Sequence, residues 1–117
     1  MLFYTIKEER HLILSILENI KMDNSRRFSK ELLSLLDESP NLDYLSFDLK
    51  KVSFLDSSGI GVILRTAVKA KARQIKVNVF NLNHSILSIL KLSGVHNILN
   101  IYEDEEFYNE FSEFRRK

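Results

Sequence analysis

Short apolar runs with the two-residue period of a strand alternate along this chain with segments whose apolar residues recur every three or four positions. That alternation leaves few architectures open. Strands that take turns with helices must cross over between neighbours, which gives an α/β domain whose sheet is largely parallel. With 117 residues the chain can build one sizeable core and not two, so residues 1–117 read as a single domain.

In order, Leu2 to Lys7 alternates loosely and Glu8-Glu9-Arg10 interrupts it. His11 to Leu17 fits a strand, with Leu12, Leu14 and Ile16 on one face, and equally a helix, with Leu12, Ile16 and Ile20 four apart. Asp23-Asn24-Ser25 offers three N-caps to a helix that carries Phe28, Leu32, Leu35 and Leu36 in one stripe and stops at Ser39-Pro40-Asn41. Tyr44 to Leu49 alternates cleanly, as a strand does. Ile60, Ile63, Leu64, Ala67 and Val68 then mark the buried stripe of a second helix, Ser58 to Arg73. Ile75 to Phe80 is a further strand. A third helix opens near Asn83 or Ser85, turns Ile86, Ile89 and Leu90 inward, and closes at Gly94. Asn97 to Ile101 reads as the last strand. A final helix opens at Asp104-Glu105-Glu106, packs Phe107, Phe111 and Phe114, and ends in Arg115-Arg116-Lys117, with charges placed as the helix dipole favours.

Several functional classes fall away on composition. Lys+Arg 17 against Asp+Glu 16 gives a net charge of +1, so no overall field points to nucleic acid, and the cations of the second helix read as a solvated face. The absence of cysteine excludes disulfides and thiolate metal sites. No run reaches the roughly 18 apolar residues of a membrane span, and the N-terminus lacks the pattern of a signal peptide, so a cytoplasmic protein is expected. His11, His84 and His96 stand apart from one another at no metal-ligand spacing and are expected in structural or surface roles. No Gly-x-Ser-x-Gly elbow surrounds Ser57, and no phosphate-loop lysine follows Gly59-Ile60-Gly61. The expectation is therefore no catalytic residue, no metal and no cofactor.

One stretch remains: Phe54-Leu55-Asp56-Ser57-Ser58-Gly59-Ile60-Gly61-Val62-Ile63-Leu64. An acid and two hydroxyls just ahead of an apolar helical stripe write a helix N-terminus, and the two glycines leave room for close approach. If the stretch sits at a strand's carboxyl end, it lies where open α/β sheets present their ligands. It resembles the phosphorylation-site motif of STAS domains, the anti-sigma factor antagonist family, and the order ββαβαβαβα is the one that family shows.

The resemblance implies a mixed, mostly parallel sheet of about five strands with helices packed on it, the first two segments being strands joined by a tight turn. It implies phosphorylation of Ser57 by a serine kinase that doubles as an anti-sigma factor, with Ser58 as the unmodified second hydroxyl. The unphosphorylated protein would sequester that kinase, so regulating sigma-factor-dependent transcription in a bacterium, and a serine phosphatase would reset it. Asp23 and Asn24 match the polar turn after the family's second strand. With Asp56, Ser57, Ser58, Gly59, Ile60 and Gly61 they form the expected partner surface, on a monomer or weak dimer that engages neither nucleic acid nor membrane. Ile20-Lys21-Met22 departs from the family, which commonly has a glycine shortly before that Asp. Two rival readings stand beside this one: a stand-alone STAS subunit of a lipid-transport or other signalling assembly, and a small nucleotide-binding domain.

Overall fold

The computed structural model describes residues 1–115. Strands β1 (Phe3–Glu8) and β2 (His11–Ile16) form an antiparallel pair, turned at Glu9, whose φ of 53° is left-handed. Strand β2 then pairs in parallel with β3 (Tyr44–Asp48), β3 with β4 (Lys76–Phe80), and β4 with β5 (Asn100–Ile101). The sheet order is β1-β2-β3-β4-β5, the expected mixed five-strand α/β arrangement. The His11–Leu17 run, open between strand and helix on pattern alone, is a strand.

Side-chain alternation sorts two cores onto the two faces of the sheet. Leu12, Leu14 and Ile16, Leu45 and Phe47, and Val77 and Val79 point to one face. Three helices close over that face: α1 (Ser25–Asp37), α2 (Ser57–Ala72) and α3 (His84–Leu92). They contribute Phe28, Leu32 and Leu36, then Val62, Ile63 and Ala67, then Ile86 and Leu90. The other face carries Ile13 and Phe80 under a C-terminal cover of Phe107, Phe111 and Phe114. Phe80 stacks on Phe107 with ring centroids 3.7 Å apart.

Two elements are shorter than their patterns suggest. The last strand begins at Asn100, not Asn97, because Gly94 (φ 68°) leads into a 3-10 turn over Val95–Asn97. The N–H groups of Ile98 and Leu99 both donate to the Val95 carbonyl there, so they are not available to a neighbouring strand. The final helix, α4, spans only Glu106–Glu110 and gives way to a 3-10 turn over Ser112–Phe114. Phe107, Phe111 and Phe114 fit one helical stripe in sequence, yet the break at Phe111 lets all three rings gather around His11, with centroids 4.7 Å (Phe111), 4.8 Å (Phe114) and 5.8 Å (Phe107) away. Tertiary packing overrides the helical period. Of the three terminal cations, Arg115 follows that 3-10 turn and does not end a helix, and Arg116 and Lys117 lie outside the described residues.

Candidate functional site

The carboxyl ends of β2, β3 and β4 feed three loops, 17–24, 49–56 and 81–83, each leading into a helix on the same face. Asparagine side chains lace these loops together. Asn19 donates to Ser53 Oγ (2.9 Å) and accepts from the Ser53 N–H (2.9 Å). Asn83 donates to the carbonyls of Val52 (3.3 Å) and Ser53 (2.9 Å) while its own oxygen caps α3 through the Ile86 N–H. Asn24 donates to the Asn19 carbonyl (3.0 Å) and accepts from the Lys21 N–H (2.8 Å). Each amide satisfies backbone groups that no strand or helix ladder reaches. This edge holds all eight residues singled out in the sequence.

At its centre stands the start of α2. Asp56 is the N-cap: its backbone is extended and its carboxylate accepts the Gly59 N–H at 3.0 Å. Ser57 is therefore the first helical residue, one position earlier than the pattern suggests, and it is exposed. Because Asp56 does the capping, neither the Ser57 nor the half-buried Ser58 hydroxyl has a hydrogen-bond partner among the described residues. Two large apolar side chains on the adjoining loops are exposed, Phe54 at 43% and Met22 at 82%.

The two glycines of the motif differ in kind. Gly59 is buried, and a Cβ there would stand 2.9 Å from the Ile20 carbonyl oxygen and 2.9 Å from Leu55 Cδ2. The close approach it permits is thus to the chain's own 17–24 loop. Gly61 is half-buried beside Ile60, and its missing Cβ would meet only the Arg65 guanidinium. Asp23 is exposed, whereas Asn24 is half-buried and spends its side chain inside the turn, giving α1 no side-chain cap. Ile20, which lies in the stretch that departs from the family pattern, is wholly buried and anchors that turn.

Sequence reasoning missed the bracing role of Asn19 and the second bonds of Asn83. The available signal was a polar amide just beyond the ends of the second and fourth strands. His11, expected in a structural or surface role, is structural and more deeply buried than expected: it lies on the far face with Nε2 2.6 Å from Ser46 Oγ and Nδ1 without a partner among the described residues. Burial pushes the imidazole down to about 4. A cleft of about 690 Å³ opens at the same strand ends, lined in part by Tyr4, Lys50 and Tyr108. Asp48 at its floor already accepts from Ser15, Asn81 and the Lys50 N–H. No cluster of three metal-ligating side chains occurs among the described residues.

A five-strand mixed sheet, an exposed serine at the β3–α2 junction and an Asp cap beside it define a STAS-type module. Residues 4–107 match the STAS domain family, and the chain belongs to it. Among solved structures, a candidate anti-sigma factor antagonist from Thermotoga maritima superposes with a TM-score of 0.81 at 21% identity, over 97% of this chain and 95% of that one. SpoIIAA in its unphosphorylated form gives 0.73 at 13% identity, over 96% and 97% of the two chains. The Bacillus cell fate determinant SpoIIAA in its phosphorylated form gives 0.68 at 14%, over 93% and 98%. At these identities the likeness is one of fold.

Proposed function

We propose that this chain, as one domain over residues 1–117, is a bacterial cytoplasmic anti-sigma factor antagonist switched by phosphorylation of Ser57. Unphosphorylated, it binds and sequesters an anti-sigma serine kinase through the edge that carries Asp23, Asn24, Asp56, Ser57, Ser58, Gly59, Ile60 and Gly61. Within that edge Asn24 and Gly59 act by holding the surface in shape, and the exposed residues meet the partner. The module itself is a binding domain, without catalysis, metal or cofactor, and works as a monomer or weak dimer. No helix among the described residues is long and apolar enough to cross a membrane.

The observation that carries the reading is the Ser57 hydroxyl: exposed, uncommitted, and relieved of capping by Asp56. The kinase transfers the γ-phosphoryl group of ATP to Ser57 Oγ, the hydroxyl proton leaves and ADP departs. The product carries about −1.5 to −2 charges at pH 7. On the free domain that charge sits at the start of a sixteen-residue helix, where the dipole favours it by about 0.3–1 kcal/mol. In the complex the same dianion, next to Asp56, has to be desolvated, at a cost of several kcal/mol. Since 1.4 kcal/mol is tenfold in affinity, the complex dissociates while the fold persists. Support for a fold that accepts both states comes from the neighbour SpoIIAA, solved in unphosphorylated and phosphorylated forms.

The test is incubation with the cognate kinase and ATP followed by mass spectrometry. Phosphate on Ser57 is expected, absent from Ser57→Ala. Phosphate found only elsewhere refutes the assignment.

A further inference from the structure

The Arg65 guanidinium lies back along α2, with Nη1 3.1 Å from where a Cβ of Gly61 would stand, one turn nearer the helix start than Arg65 itself. It is exposed and pairs with no described residue. Its surroundings offer no carboxylate from its own helix, since the chain contains no Asp or Glu from Ser57 to Tyr102. Arg73, the residue just past the end of the same helix, is by contrast committed to the carbonyls of Leu36 (2.6 Å) and Ser39 (3.0 Å).

Ser57, Gly61 and Arg65 are four apart, so they occupy successive turns on one side of α2, with about 5–6 Å between neighbouring Cβ positions. Arg65 covers one of those two steps with its own side chain. Gly61, lacking a side chain, leaves the path between guanidinium and Ser57 clear. A phosphoryl group on Ser57 extends across the remaining step, and the planar guanidinium fork matches phosphate oxygens in a bidentate pair.

We propose that Arg65 is the in-chain partner of a phosphate on Ser57, reached across the gap that Gly61 leaves open. The proposal rests on the reading of Ser57 as the modified residue and adds a second effect to the switch. In the unmodified protein Arg65 is a free cation on the helix face that leads away from Ser57, open to an acidic group of the partner. In the phosphoprotein it is drawn onto the phosphate, so the modification adds negative charge and withdraws positive charge from one surface. Asp56 opposes the pairing by like charge, and the neighbouring loop carries one exposed cation, Lys21, and one exposed anion, Asp23.

The experiment installs phosphoserine at position 57 by genetic encoding, with no kinase, and titrates the phosphate by phosphorus NMR. With Arg65 present, the second acid dissociation constant of the phosphate is expected to be about threefold higher than in Arg65→Gln, because a nearby cation favours the dianion. Lys69→Gln, one turn further along, serves as control and leaves the constant unchanged. Equal constants in the parent and Arg65→Gln overturn the proposal, as does an equal effect of Lys69→Gln. Should the phosphoprotein not fold, a thermal double-mutant cycle between Ser57→Glu and Arg65→Gln reads the same pairing, and strict additivity overturns it. Partner binding is measured separately. A phosphate that pairs with Arg65 yet leaves partner affinity intact keeps this pairing and removes the switch. Loss of affinity with no Arg65 effect keeps the switch and removes the pairing.

Discussion

Gly59 and Gly61 lie two residues apart in α2, and alanine at each is expected to move stability in opposite directions. A Cβ on Gly59 would come within 2.9 Å of the Ile20 carbonyl oxygen, a backbone atom, and of Leu55 Cδ2. Ile20 cannot easily yield, because it is fully buried and its loop is tied by Asn24 to Asn19 and Lys21. Such overpacking costs about 1–3 kcal/mol, offset by about 1 kcal/mol of helix propensity gained when glycine is replaced. Gly59→Ala is thus neutral to about 2 kcal/mol destabilising. On Gly61 a Cβ meets only the Arg65 guanidinium, the end of a flexible exposed side chain, at 3.1 Å. Gly61→Ala therefore keeps most of the propensity gain and is stabilising by about 0.5–1 kcal/mol. Equilibrium urea unfolding followed by circular dichroism should separate the two midpoints by on the order of 1 M, Gly59→Ala unfolding first. If Gly59→Ala proves as stable as Gly61→Ala, α2 does not press on the Ile20 loop and the two halves of the proposed surface are not rigidly joined.

Three further outcomes can be checked on the isolated protein. His11 is held near 4 by burial, below its unfolded value of 6.5, so the stability its neutral ring contributes is complete above about pH 6.5 and lost as pH falls toward 4, by on the order of 3 kcal/mol; urea midpoints across that window should fall steeply, and His11→Leu should flatten the slope. Asp56→Ala removes the cap on Gly59 and should cost about 1 kcal/mol in the same unfolding assay, most of it restored by Asn at that position. Phe107→Ala empties the stack on Phe80 and should cost about 3–5 kcal/mol, lowering the thermal midpoint far more than any change on the exposed face of α2.

The main core was legible because its patterns are local. Phe28, Leu32 and Leu36 on α1, and Leu45 and Phe47 on β3, are buried as their spacing demands. The motif was legible for a similar reason, since an Asp followed by two serines and a glycine writes a capped helix start whatever surrounds it. What escaped was set by contacts distant in sequence. Nothing near His11 announces that it will lie under Phe111 and Phe114, a hundred residues on, or that Ser46 will meet its ring. Gly59 offered closeness without saying to what, and only the fold shows the Ile20 carbonyl filling that place. Asn19 likewise braces Ser53 across 34 positions, a distance over which sequence periodicity is silent.

Everything functional turns on whether a charge at Ser57 separates the partner while leaving the domain intact. The decisive quantity is the ratio of dissociation constants for the cognate kinase, measured calorimetrically with the unmodified protein and with the same protein phosphorylated at Ser57, both shown to be folded. A loss of about a hundredfold or more is expected, the equivalent of about 2.7 kcal/mol. Two folded proteins that bind the kinase equally well would contradict it.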